Sequence, residues 1–155
     1  MNAKEIPNNL FFSNIKDILN SGNSVELKIK GTSMHPTLVN GKHKVVLIPY
    51  RQQQIRIGTI ALFGYRGKYI LHRLISISED HLIFQGDNLP SVREYVEEKD
   101  VVAIVEFIIT PAGKIIDYKK FSPRIKDRLR RSLYQYYLMC IIKLKRFGII
   151  HYITL

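Results

Sequence analysis

Between residues 24 and 118 the apolar residues fall in short runs, each cut by a turn, and this most constrains the fold. Ser24 to Lys30 sets Val25, Leu27 and Ile29 against Glu26, Lys28 and Lys30. A period of two is that of a strand with one buried face. Val45 to Ile48 is an apolar strand ended by Pro49, and Thr59 to Phe63 is another. Tyr69 to Ser78 follows the turn Tyr65-Arg66-Gly67-Lys68, which predicts a hairpin. His81 to Gln85 is broken by Gly86-Asp87-Asn88, and Val101 to Thr110 ends at Pro111-Ala112-Gly113-Lys114, after which Ile115 to Tyr118 can pair back. The expected fold is mainly β (a β-rich α+β class), a compact antiparallel β-domain.

A helix is expected on each side of it. Asn8 to Asn20 places Leu10, Phe11, Ile15, Ile18 and Leu19 near one face, with Ser21-Gly22 as the stop. From about Pro123 the spacing becomes helical again, through Leu129, Leu133, Tyr136, Tyr137, Cys140, Ile141 and Leu144. The predicted organisation is therefore a β-domain over residues 1–122 and a helical tail over 123–155. At 155 residues the chain suffices for one core.

The charge is uneven. The chain carries +11 formally, yet residues 112–155 hold 11 basic and 2 acidic side chains and so contribute most of it. Such a tail suits an anionic partner. One reading packs its apolar face on the β-domain and leaves the charges in water. The other lays an amphipathic helix on an anionic membrane surface, with Arg124, Arg128, Arg131 and Lys143 toward the headgroups. No helix-turn-helix, zinc finger or aromatic RNA-binding motif favours nucleic acid. The longest uncharged stretch of the tail, Ser132 to Ile142, is 11 residues, against roughly 20 for a membrane span. The N-terminus has no secretory h-region. With a single cysteine, Cys140, no intramolecular disulfide can form. The expected location is the cytoplasm, or the inner face of a membrane. His43, His81 and His151 have no carboxylate or cysteine partners at metal-ligand spacing, so neither metal nor cofactor is expected.

Three short segments carry candidate chemistry. In Gly31-Thr32-Ser33-Met34-His35-Pro36 a serine sits in a tight loop after a strand. Its hydroxyl needs a neighbouring base to become a nucleophile, and loop N–H groups can form an oxyanion hole. The plain alternative is a turn serine. In Ile70-Leu71-His72-Arg73-Leu74-Ile75 a histidine lies inside an apolar strand, as a structural imidazole or as a rigidly held general base. In Gln85-Gly86-Asp87-Asn88 the aspartate either caps its own turn or orients an imidazole.

Together these segments resemble the signal peptidase clan of serine peptidases, which includes the signal peptidases and the self-cleaving domains of LexA-type repressors. The resemblance covers about Val25 to Ile108. It is carried by Gly31 to Pro36, Gly41, the strand after Ile57-Gly58, His72-Arg73 and Gly86-Asp87-Asn88, in that order. It implies Ser33 as nucleophile, Gly31, Met34 and Pro36 as its substrate and oxyanion loop, His72 as base in the manner of the histidine-type enzymes, and Asp87 as the residue that orients His72. Lys68, four residues before His72, ranks below it as a base. Where the family commonly has Gly-Asp, this chain has Gly58-Thr59. Where a second aspartate often follows Gly-Asp-Asn, it offers only Glu94. The membrane anchor of a true signal peptidase is not seen.

The expected function is a serine endopeptidase acting on precursor or exported peptides through an acyl-enzyme, with a peptide or protein as its substrate. The alternatives are a binding module that kept the fold and lost turnover, and a self-cleaving regulator. The regulator fits less well, because only about thirty residues precede Ser33 and the Ala112-Gly113 pair lies after it.

Overall fold

A computed structural model describes residues 8–118 and 125–146. Its elements run α1 (Asn8–Asn20), β1 (Val25–Lys28), β2 (Lys44–Pro49), β3 (Ile60–Tyr65), β4 (Lys68–Ile77), β5 (Leu82–Gln85), β6 (Glu94–Val96), β7 (Val101–Ile109), β8 (Ile115–Asp117) and α2 (Ile125–Arg146). The protein is β-rich. The eight strands among the described residues form one antiparallel sheet in the order β1-β2-β7-β3-β4-β5-β6, with β8 pairing β7.

The central strands explain their own composition. Ile60-Ala61-Leu62-Phe63 is buried throughout, since successive side chains of β3 enter opposite cores. Ile60 and Leu62 join one core with Ile15 and Leu19 of α1, Leu38, Val45, Leu47 and Val105. Ala61 and Phe63 join the other with Leu74, Phe84, Val96 and Ile104. In that second core Phe63 and Phe84 stack at 4.4 Å between ring centroids. The β3–β4 hairpin closes through Arg66 and Gly67, at φ 49° and 73°, with Tyr65 opposite Lys68. Two left-handed residues are what a two-residue turn needs to match the twist of its strands.

The expected strands all form, with ends displaced by up to two residues. The strand β6 was not anticipated, because three residues within Ser91–Glu98 give no readable alternation. In α1, Ile15 and Leu19 are buried as expected, whereas Ile18 is 42% exposed. Phe12 stacks on Tyr69 of β4, centroids 4.3 Å apart.

The buried face of α2 follows the expected apolar line only in part, at Ile141 and half-buried Cys140. Leu138 and Ile141 are buried, while Leu133, Tyr136 and Tyr137 are 69%, 72% and 54% exposed. Spacing alone marked an apolar line but could not say which neighbouring line would meet the β-domain. Among the described residues no helix is long and apolar enough to cross a membrane. Arg124 and His151 lie outside the described residues, as do the side chains of Leu129, Leu144, Arg128 and Arg131. Lys143 is exposed.

Candidate active site

Ser33 lies in the loop between β1 and β2, which is anchored from beneath by Met34 and Leu38. Leu38 N–H donates to the Met34 carbonyl (2.9 Å) and His35 N–H to the Thr32 carbonyl (3.0 Å). At its neck Gly41 N–H donates to Ile29 O and Ile29 N–H to His43 O, at 2.8 and 3.0 Å, and Asn40 Oδ1 accepts from Gly31 N–H. With its two apolar neighbours driven inward, Ser33 is left half-buried at a cleft of about 400 Å³. Ile29, Tyr69, Leu71, His72, Leu89 and Glu94 also line this cleft.

His72 is 4% exposed and sits in β4 opposite Ala61 of β3. Its Nδ1 is 3.0 Å from Glu94 Oε2, and Glu94 is itself buried. A carboxyl at that nitrogen accepts the Nδ1–H, which leaves Nε2 as the basic nitrogen. Nε2 faces Gly86: a Cβ on Gly86 would meet it at 3.0 Å and the Ser33 carbonyl oxygen at 2.7 Å. The absent side chain therefore lets the Ser33 loop, the Gly86 turn and the imidazole converge. Asn88 N–H donates to the Ser33 carbonyl at 2.8 Å and locks the two loops together. Among the described residues no hydrogen bond joins the Ser33 hydroxyl to the His72 ring.

Asp87 does not occupy the role expected of it. It is buried and grips Arg73 with both oxygens, from Nε to Oδ1 at 2.8 Å and from Nη2 to Oδ2 at 2.7 Å. The correction follows from the strand itself. His72 and Arg73 are adjacent on β4 and project to opposite faces. An acid fully engaged with Arg73 cannot also orient His72, whose face is shared by Phe84 and Glu94 of β5 and β6. Glu94 was the one acid noted after Gly-Asp-Asn, and its place opposite Phe84 on an unforeseen strand brings it to the imidazole.

Arg73 is a hub. Its guanidinium also donates to the Gly58 carbonyl at 2.9 Å and to Tyr118 Oη, and Thr37 of the serine loop donates to Asp87 Oδ2. Burial disfavours the cation, but the Asp87 carboxylate more than offsets this and holds Arg73 above its ordinary pKa. One buried ion pair thus fastens the serine loop, the Gly-Asp-Asn turn and the approach to β3.

The remaining site expectations divide by position. Gly31 and Met34 line the cleft, and Pro36 is half-buried in the same loop. Lys68 lies exposed at the hairpin end. His35 meets Tyr134 of α2 edge-on, with ring centroids 5.6 Å apart, and Tyr134 Oη donates to Asn88 Oδ1 at 3.1 Å. The helix therefore borders both site loops, which helical periodicity gave no means to foresee. Among the described residues no cluster of three or more His, Cys, Asp or Glu side chains is gathered for a metal. No protein-family model and no curated protein sequence matches this chain.

Proposed function

We propose that this protein is a serine hydrolase of the peptidase type, with Ser33 as nucleophile, His72 as general base and Glu94 as the residue that positions His72. The observation that carries the proposal is the Glu94 Oε2 to His72 Nδ1 contact at 3.0 Å. It leaves Nε2 directed toward the Ser33 loop, in a cleft that both residues line. Ser33 Oγ attacks a carbonyl carbon as its proton passes to Nε2. Loop N–H groups stabilise the oxyanion, and His72 protonates the departing amine. Water, deprotonated by His72, then releases the acyl group from Ser33. The Ser33 hydroxyl closes on the imidazole as substrate binds, in keeping with the loose geometry of such pairs without substrate.

A peptide substrate is supported by the form of the cleft. One wall is the segment Ile29–Gly31, and the other is Tyr69–His72 of β4. β5 pairs with β4 only from Arg73 onward, so among the described residues no strand covers the nearer part of that edge. An extended backbone fits between such edges and hydrogen-bonds to them as an added strand.

A fluorophosphonate probe on the intact chain tests this reading. A single adduct is expected on Ser33, absent in Ser33→Ala and slowed at least about a hundredfold in His72→Ala. Failure of the wild-type chain to react would sink the proposal. The unmade Ser33–His72 hydrogen bond favours a second reading, a peptide-binding module without turnover. Under it peptide is bound, no adduct forms, and His72→Ala leaves binding unchanged.

A further inference from the structure

The exposed side of α2 has a character that the β-domain does not use. Leu133, Tyr136 and Tyr137 follow one another at helical spacing and are each more than half exposed. Half-buried Cys140 continues the line, and exposed Lys143 follows it one turn later. In sequence, Leu129 and Leu144 extend the spacing at both ends. Away from this stripe Leu138 and Ile141 are buried and Tyr134 and Gln135 reach Asn88 and Asp87, with Ile142 47% exposed beside them. The helix is thus held along part of its surface and presents an apolar stripe beside it.

Charge decides what covers that stripe. Residues 125–146 carry seven basic side chains and one acidic, Asp127. A second copy of this helix would set like charges against each other as the stripes met, whereas an anionic bilayer both accepts the apolar side chains and attracts the cations. Tyrosines are suited to the boundary of such a surface, with the ring in the acyl region and the hydroxyl at the headgroups.

We infer that α2 is a peripheral docking surface for an anionic lipid bilayer, entered through Leu133, Tyr136 and Tyr137 and held by exposed Lys143 together with the net basic charge of residues 125–146. Because Tyr134, on the side of the helix adjoining the stripe, touches His35 and Asn88, the docked helix keeps the Ser33 loop and the Gly86 turn beside the membrane. The inference does not depend on whether Ser33 reacts.

The test is co-sedimentation of the full chain with vesicles of phosphatidylcholine and phosphatidylserine mixed two to one, and with phosphatidylcholine alone. The expected result is binding to the mixed vesicles only, weakened by salt. The triple change Leu133→Ser, Tyr136→Ser, Tyr137→Ser should reduce it at least about tenfold, and Lys143→Glu should reduce it to a lesser degree. These side chains are exposed, so an unchanged thermal midpoint will separate lost docking from lost folding. Absence of binding to the anionic vesicles, or equal binding by the folded triple variant, overturns the inference. So does a concentration-dependent dimer that the triple variant abolishes while vesicles capture neither protein.

Discussion

Glu94, from the short strand β6, closes on the Nδ1 side of His72 two strands away, and neither side chain is open to solvent. The pairing occupies Nδ1 and leaves Nε2 on the side of Gly86 and the Ser33 loop. Glu94→Gln preserves the shape but no longer holds the ring as an Nδ1–H donor. Fluorophosphonate labelling should fall about 10²- to 10⁴-fold, with partial recovery in Glu94→Asp. Undiminished labelling of a folded Glu94→Gln variant would remove Glu94 from the mechanism.

Asp87 and Arg73 should report on stability first. Arg73→Met strands the Asp87 carboxylate in the interior and is expected to cost about 3–5 kcal/mol, read from urea denaturation. In a chain of 155 residues that corresponds to a drop in midpoint on the order of 10 °C. Combining Arg73→Met with Asp87→Leu should recover much of the loss, because an apolar pair of similar volume carries no unpaired charge.

Gly86→Ala tests the convergence of loops. The new methyl would press on a backbone oxygen at 2.7 Å and a strand-held imidazole at 3.0 Å, neither of which is a flexible side-chain tip. An overpacking cost of about 1–3 kcal/mol is expected. The labelling rate at Ser33 should fall by more than the unfolded fraction accounts for. A variant that labels at the wild-type rate would show that Gly86 does not set the site geometry.

Leu38 supports the serine loop from below and is fully buried. Leu38→Ala should cost about 2–5 kcal/mol through the cavity it leaves. Ile57→Ser, at a side chain 61% exposed, should stay within about 0.5 kcal/mol. Parallel urea titrations of the two variants check the contrast.

Much of the β-domain was readable residue by residue, because alternation and turn chemistry are local. Val25-Glu26-Leu27-Lys28 declares its buried face, and Arg66-Gly67 declares its hairpin. Ser33 and His72 each read alone as a turn serine and a structural imidazole, and only the ordered set of motifs in the signal-peptidase resemblance made them candidates; both line one cleft. The partner of His72 was not legible. Asp87 and Glu94 both follow on the same chain, and only the pleat of β4 separates them. It sends Arg73 to one face toward Asp87 and His72 to the other toward Glu94. The same holds for α2, where spacing revealed an apolar line but tertiary packing buried Leu138 and Ile141 and left Leu133 and Tyr136 in the open. Periodicity is a property of neighbours along the chain. Which acid meets an imidazole, and which stripe of a helix meets a sheet, depends on strands brought together from distant parts of it.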